Sequence, residues 1–399
     1  MNIGKIAPPQ LRTKEQEGKR TATWLELFYD LAFVVAVSVL SGRLLGDITW
    51  PGMASYLGYF ALLWWLWASH TFYADRYDTD DLVYRLLATG QMVSVVIIAA
   101  SLGGDSRSTL AFAVGYAMAR ALLVVMYYRA YRHVPETREL VKGYVIGFSV
   151  ATVVWVTAIL VPENVRFSLW AVALTIDLAT PWVMRREQAK VPLDVSHLPE
   201  RFGLFTILVL GESIAAIVTG LTHVSWAPTS TLAAAMAIAI ATGFWWLYFD
   251  NAQGKVVRRT ATVQKTWKPT GWIYTHLPLA AALAALAVSM ERALEEAGHG
   301  SMAGPDRWLL VGSASVAFGA MALIQHTSTV EPEDLRSRGI ILNRLLGIPF
   351  LLLLGLLSAP ESQWLMVGVF GVVLAELIGD MTLNARFGDQ DREESDGGD

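Results

Sequence analysis

The 399-residue chain has no cysteine. Disulfides, thiol catalysis and Cys-ligated metals are thereby excluded. Charge is scarce as well: Asp, Glu, Lys and Arg make up 17% of the residues, against roughly a quarter in soluble domains. The net charge of −4 gives no pointer to nucleic acid, and no basic domain, RNA-binding signature or zinc spacing is present, so no nucleic-acid partner is expected. GxxxxGK[ST] is missing, which rules out a built-in P-loop ATPase. HExxH, GxSxG and Cys-based redox motifs are missing too, so common intramembrane hydrolase or redox chemistry lacks its parts. No segment is an Arg-rich voltage sensor and no TVGYG-type filter occurs. The chain is therefore not expected to be an enzyme, and neither cofactor nor metal is expected. The opening MNIGKIAPPQLRTKEQEGKR is polar, with no apolar core before Thr23, and does not read as a cleavable signal peptide.

What is abundant is apolar surface. Hydrophobic residues reach 54% and mean hydropathy is +0.42, too much for soluble cores of this length. Fifteen Trp and thirteen Tyr suit a protein with two membrane–water interfaces. The expected fold class is an all-α polytopic membrane protein with the lipid bilayer as its main partner. Twelve apolar spans are read at 23–45, 52–74, 83–103, 109–128, 142–161, 165–184, 201–222, 229–250, 270–290, 306–325, 339–359 and 363–384. With the N-terminus inside, about twenty-five Lys and Arg, Arg201 among them, fall on inner segments and five on outer ones, while Arg120 stays within a span. That bias follows the positive-inside rule and places both termini in the cytoplasm of a cytoplasmic (inner) membrane protein.

The chain also reads as duplicated. Leu25–Leu44, LELFYDLAFVVAVSVLSGRL, lies over FGLFTILVLGESIAAIVTGL from Phe202. Trp64-Trp65-Leu66-Trp67 lies over Trp245-Trp246-Leu247-Tyr248, and Leu160-Val161-Pro162-Glu163 over Ser358-Ala359-Pro360-Glu361. Six spans per half is an even number, so the halves would be two parallel six-helix repeats. The expected organisation is a cytoplasmic basic tail (1–22), a first half (23–186), a cytoplasmic linker (187–200) with Pro192 and Pro199, a second half (201–385) and an acidic disordered tail (386–399). A homo-oligomer is compatible with the sequence.

Ionisable groups inside the spans are the site candidates, because a carboxylate at mid-membrane costs at least ~2.5 kcal/mol and needs a partner or a role. Glu26 and Asp30 stand at i, i+4 and share a helix face; the plainer reading of Glu26 is a first-turn acid behind a Thr21 or Thr23 cap. Glu212 lies mid-span between Gly211 and Ser213, where Ser213 can hydrogen-bond beside it and Gly211 lets a helix approach. Arg120 cannot snorkel and needs a carboxylate: Asp177, Glu212 or Glu376. If that pair never opens it is only a clamp. His70, Asp75, Asp250 and His276 fall near inner span ends and are proton-relay candidates, or ordinary interfacial polar residues. The Trp pairs read as interface anchors or packing groups.

Two stretches carry a resemblance. Thr23-Trp24-Leu25-Glu26-Leu27-Phe28-Tyr29-Asp30-Leu31 resembles the ELFxDL signature that opens the bacterial low temperature requirement A (LtrA) family. Glu200-Arg201-Phe202-Gly203-Leu204-Phe205 through Leu210-Gly211-Glu212-Ser213 is similar to its second signature, ERFGLF…LGES. The resemblance covers roughly 20–385 and implies a multi-pass inner-membrane protein linked by name to growth in the cold. It supplies no substrate, mechanism or catalytic residues.

The architecture points to a secondary transporter or permease, proton- or cation-coupled, moving an unknown small solute or ion. Glu212 and Asp30 would bind the coupling ion, and Arg120 with Asp177 would form a switchable pair. The alternative is a non-transporting sensor, scaffold or assembly factor that supports growth at low temperature. A lipid-directed membrane enzyme would have to rest on Glu26, Asp30, His70 and Asp75.

Overall fold

The structure, a computed structural model, describes residues 7–11, 22–78, 80–103, 108–191, 197–251, 268–298, 300–328, 335–357 and 360–387. The acidic tail beyond Phe387, the centre of the 187–200 linker with Pro192, and the basic 12–20 and 252–267 segments lie outside the described residues. Twelve long helices are described, of 21 to 28 residues. They are α1 (Trp24–Gly46), α2 (Trp50–Arg76), α3 (Leu82–Leu102), α4 (Ser108–His133), α5 (Arg138–Leu160) and α6 (Glu163–Val183), then α7 (His197–Thr222), α8 (Pro228–Asn251), α9 (Lys268–Glu295), α10 (Gly304–Ser328), α11 (Leu335–Gly355) and α12 (Ser362–Phe387). A single turn, Arg185–Gln188, follows α6.

Ten of the helices are long and apolar enough to cross a membrane. The other two, α2 and α6, are long but less apolar: α2 is rich in Trp and Tyr, and α6 carries Glu163, Arg166 and Asp177. Many large apolar side chains stand exposed along the helices, among them Phe28, Val35, Val153, Leu346 and Phe350. In water such stripes would be aggregation surfaces; against lipid they are the ordinary solvent contact. The chain is an all-α polytopic membrane protein.

The described chain forms two compact units. The first comprises residues up to Arg43 and Gly58–Arg201; the second comprises Leu44–Leu57 and everything from Phe202. Within the first, α3 packs on α4, α4 on α5 and α5 on α6. Small residues set the last contact: a Cβ on Gly147 would come within 2.3 Å of the Thr180 hydroxyl, and one on Gly143 within 2.3 Å of Met184 Sδ. This spacing, Gly-x-x-x-Gly, lets two helix backbones approach where no hydrophobic effect drives them together. From Trp64 to Arg76 every residue of α2 is buried, so Trp64, Trp65 and Trp67 are packing groups rather than interface anchors. Trp245 and Trp246 on α8 are each about two-fifths exposed (43% and 42%) and fit the anchor reading. In the second unit α9 packs on α10, α10 on α11, and α11 on α12, with α12 also against α8. Helix α9 is buried along 83% of its apolar window, against 28% for α11, and forms the core of this unit.

At one end of the first unit a short β-pair closes the fold. Gln10–Leu11 (β1) runs antiparallel to Tyr77–Asp78 (β2). Asp81 ties the pieces together: it caps α3 by accepting from the Tyr84 N–H (2.9 Å), receives Arg129 from α4 (2.8 Å) and accepts from the Ala7 N–H (3.3 Å). Burial alone would raise the Asp81 carboxyl, but the Tyr84 N–H and the Arg129 guanidinium outweigh it and hold it below the usual carboxylate value. A depressed folded-state value means stabilisation that is present above the unfolded value of about 3.9 and lost as pH falls through the lowered one. Thermal unfolding in detergent should therefore show an acid-side loss of stability below about pH 4 that is smaller in Asp81→Asn, which should also be the less stable protein at pH 7. An unchanged acid limb in the variant would contradict this role.

Candidate functional site

Helix α1 starts in a capping box. Thr23 Oγ1 accepts from the Glu26 N–H (3.3 Å), and the Glu26 carboxylate accepts from the Thr23 N–H (2.7 Å) and hydroxyl (2.9 Å). The first-turn reading of Glu26 is thus part of the geometry, but Glu26 does more. It is 1% exposed and Asp30, one turn on, is fully buried. Tyr29, Phe33, Ala36, Val37 and Leu40 continue the same inward stripe, while Trp24, Phe28, Leu31 and Val35 face outward.

Facing this stripe is the first turn of α7, where His197 and Arg201 also stand at i, i+4 and are both fully buried. The two pairs interlock. Arg201 Nη2 donates to Asp30 Oδ1 at 2.5 Å, and Arg201 Nη1 lies 3.6 Å from Glu26 Oε2. His197 Nε2 is 3.6 Å from Glu26 Oε2, and His197 Nδ1 is 3.0 Å from Asp75 Oδ1 at the end of α2. Trp67 Nε1 donates to Asp30 Oδ1 (2.7 Å). Glu200, beside Arg201, accepts from the Ala22 N–H (3.2 Å) just before α1.

Around the ionic groups lies a ring of aromatic and amide partners. Tyr29 donates to Gln91 Oε1 (3.1 Å), and Gln91 donates to the Ala119 carbonyl (3.2 Å). His70 stacks on Tyr29 with ring centroids 3.9 Å apart and lies 3.5 Å from the Tyr84 hydroxyl. Arg76 follows Asp75 but points elsewhere, toward Gln188 (3.4 Å) and over the Tyr144 ring (5.7 Å).

Among the described residues three buried carboxylates, Glu26, Asp30 and Asp75, lie within ion-pair distance of Arg201 or His197. A guanidinium keeps its proton at any working pH, whereas an imidazole titrates near neutrality. Asp30 Oδ2 is buried and makes no hydrogen bond among the described residues. Such a group can accept a proton or a cation, pass it between Asp75, His197 and Glu26, and hold Arg201 between two acids.

The remaining sequence candidates fall in other places. Arg120 pairs with Asp177 (2.5 Å), donates from Nη1 to Ser69 Oγ (3.0 Å) and lies 4.5 Å over the Phe148 ring. Of its three candidate partners Asp177 is therefore the one. Asp30, expected to act with Glu212, is held instead by Arg201 and Trp67, because the first turn of α7 is buried rather than cytoplasmic surface. Glu212 belongs to the second unit, half-buried on α7, with Tyr56 and Glu291 as electrostatic neighbours; Ser213 beside it is buried. Glu376 pairs with Arg344 (2.8 Å). Asp75 is joined to His197 rather than to His70. His276 meets the Tyr248 hydroxyl (3.0 Å), and Asp250 is exposed and accepts from Trp246 (2.6 Å), so these two are not a pair.

Sequence reasoning missed His197 and Trp67 and counted Arg201 as a surface cation. A signal was available: His197-x-x-x-Arg201 repeats on α7 the i, i+4 spacing of Glu26-x-x-x-Asp30 on α1, with opposite charge. What the order of residues could not say is that the Glu26 and Asp30 face of α1 and the first turn of α7 are buried.

These features define the class: a multi-pass helical membrane protein with a buried ionic cluster where the starts of α1 and α7 meet the end of α2. The chain belongs to the bacterial low temperature requirement A (LtrA) protein family, whose sequence model matches residues 21–375. It is also 28% identical over 296 residues to an uncharacterized protein of Rhizobium meliloti (strain 1021), covering 70% of this chain and 71% of that protein. No solved structure matches the chain. The two family-like stretches quoted above, TWLELFYDL and ERFGLF, are the ones that meet at the cluster.

Removing one member of a buried pair leaves the other uncompensated, at a cost of about 3–5 kcal/mol. Arg201→Ala should lower thermal stability in detergent by that order, and Arg201→Ala with Asp30→Ala should recover part of the loss. Strict additivity of the two substitutions would mean that the pair is not coupled.

Proposed function

We propose that this protein is a proton-coupled secondary transporter of the bacterial cytoplasmic membrane, with Glu26, Asp30, Asp75, His197 and Arg201 as its coupling site. One observation carries the reading: among the described residues, three buried carboxylates, Glu26, Asp30 and Asp75, gather around Arg201 and His197, and Asp30 keeps a buried oxygen with no hydrogen bond. Buried ionisable groups at this depth are costly and can be stabilised by binding a proton or cation. Histidine between Asp75 and Glu26 is the cation of this group that can give up its proton, which the guanidinium cannot.

Twelve spans complete the proposed architecture, with α2 and α6 crossing beside the ten strongly apolar helices. The two halves are parallel repeats, α1–α6 and α7–α12, and both termini are cytoplasmic. In support, α1 and α7 are the helices that the repeat pairs. The last helix of each half, α6 and α12, carries a carboxylate bound to arginine: Asp177 with Arg120, Glu376 with Arg344. In this topology the cluster lies near the inner ends of three spans, one to two turns from cytoplasmic water. Proton loading of the acids loosens their hold on Arg201, and unloading tightens it, which couples charge to the seating of His197 and Arg201 against Glu26 and Asp30. The coupling role proposed for Glu212 from the sequence passes to Glu26 and His197, because these face the acids that bind Arg201.

The test is proton flux into proteoliposomes carrying a pH-sensitive dye under an imposed membrane potential. Protein-dependent flux that falls at least about tenfold in Glu26→Gln, with His197→Asn similarly impaired, is the expected result. Equal, leak-level signals from native protein and variants would remove proton coupling and favour the sensor or scaffold reading.

A further inference from the structure

A second feature lies in the other unit. Between α11 and α12 runs an open, largely apolar cavity of about 570 Å³, within the size range of small-molecule sites. Its walls are Leu346, Phe350, Leu353 and Val372, and its floor is Asn343, Gly347 and Glu376. Leu346, Phe350 and Leu353 are each more than half exposed, so the cavity opens on the lipid-facing side of the helix pair.

The floor carries an unbalanced charge. Arg344 donates to Glu376 Oε2 (2.8 Å) and to Asp380, with one contact to Oδ1 at 3.2 Å and a second to Oδ2. Asp380 is further satisfied by Asn343 (3.0 Å) and Asn251 (2.6 Å). Two buried carboxylates thus share one guanidinium, and among the described residues no other cation pairs with either. Asp380 is enclosed by its amides, while Glu376 faces the cavity: its Oε1 lies against Gly347, where a Cβ would meet it at 2.4 Å.

We propose that this cavity binds a lipophilic organic monocation, with its charge against Glu376 and its apolar body along Leu346, Phe350 and Leu353. Charge complementarity selects the occupant. A delocalised cation supplies the missing positive charge at small desolvation cost, and the Phe350 ring adds a cation–π surface. A compact hydrated ion would have to shed its water against apolar walls. A lipid acyl chain would match the walls but set hydrocarbon on a carboxylate, and an anionic headgroup would be repelled. The site is separate from the proton-coupling cluster and stands or falls on its own binding.

Two substitutions act on different parts of the site. Glu376→Gln removes the charge. Gly371→Leu fills the space: Gly371 lines the cavity, and a Cβ there meets nothing within 4 Å, so the helices need not move. Equilibrium dialysis of the purified full chain against tetraphenylphosphonium should show saturable binding that triphenylphosphine oxide, neutral and aromatic, does not displace. Both variants should bind at least tenfold more weakly, with native-like thermal unfolding for Gly371→Leu. No saturable binding by the native protein, undiminished binding in Gly371→Leu, or equal displacement by the neutral compound would overturn the proposal. If Glu376→Gln does not fold, Gly371→Leu and the neutral competitor decide. Absence of proton flux leaves the binding result unaffected, so the two proposals fail separately.

Discussion

The contact between Arg201 and Asp30 constrains everything around it. A guanidinium and a carboxylate, both fully withdrawn from solvent, are stable only with close geometry and further hydrogen-bonding partners. Meeting that requirement sets His197 and Arg201 against Glu26 and Asp30, brings Trp67 of α2 onto the same oxygen, and places His197 one turn away between Glu26 and Asp75. The capping box at Thr23 serves the same end, since it sets the first turn of α1 so that Glu26 points inward. A helix start is usually where charge can reach water; here the charged faces of two helix starts, Glu26 and Asp30 on one and His197 and Arg201 on the other, are buried against each other.

Much of the fold was legible in the sequence because a bilayer imposes long apolar helices and leaves few alternatives. Each span read from hydropathy overlaps a described helix, and the weakly apolar α2 and α6 are the two that hydropathy alone does not carry. That Arg120 needs a carboxylate was legible too, but the choice of Asp177 over Glu212 and Glu376 came only with the structure. Lateral relations were not. The order of residues gives the depth of Asp30, Glu212 and Glu376 but not which helix each faces, so Asp30 was matched with Glu212 rather than Arg201. Positive-inside counting also hid Arg201, since it assigns every cation near a span end to solvent.

Arginine–carboxylate pairs recur with different surroundings. Arg120 and Asp177 are closed in by Ser69 and Phe148, which suits a clamp. Arg344 shares Glu376 and Asp380 beside an open cavity. Of these three, the Arg201 group is the one that, among the described residues, includes a histidine within reach of two acids. On the proposed reading the same elementary pair serves as packing, as a ligand floor or as a proton site according to what else is buried with it.

The central claim is that the Glu26–His197–Arg201 cluster exchanges a proton in the folded protein. Infrared difference spectroscopy of the carboxylic C=O stretch, scanned across roughly pH 5 to 9, reads this directly. A carboxylic band that titrates reversibly in native protein and disappears or shifts in Glu26→Gln is the expected result. A native spectrum with no titrating carboxylic band, or one identical in Glu26→Gln, Asp30→Asn and Asp75→Asn, would contradict it.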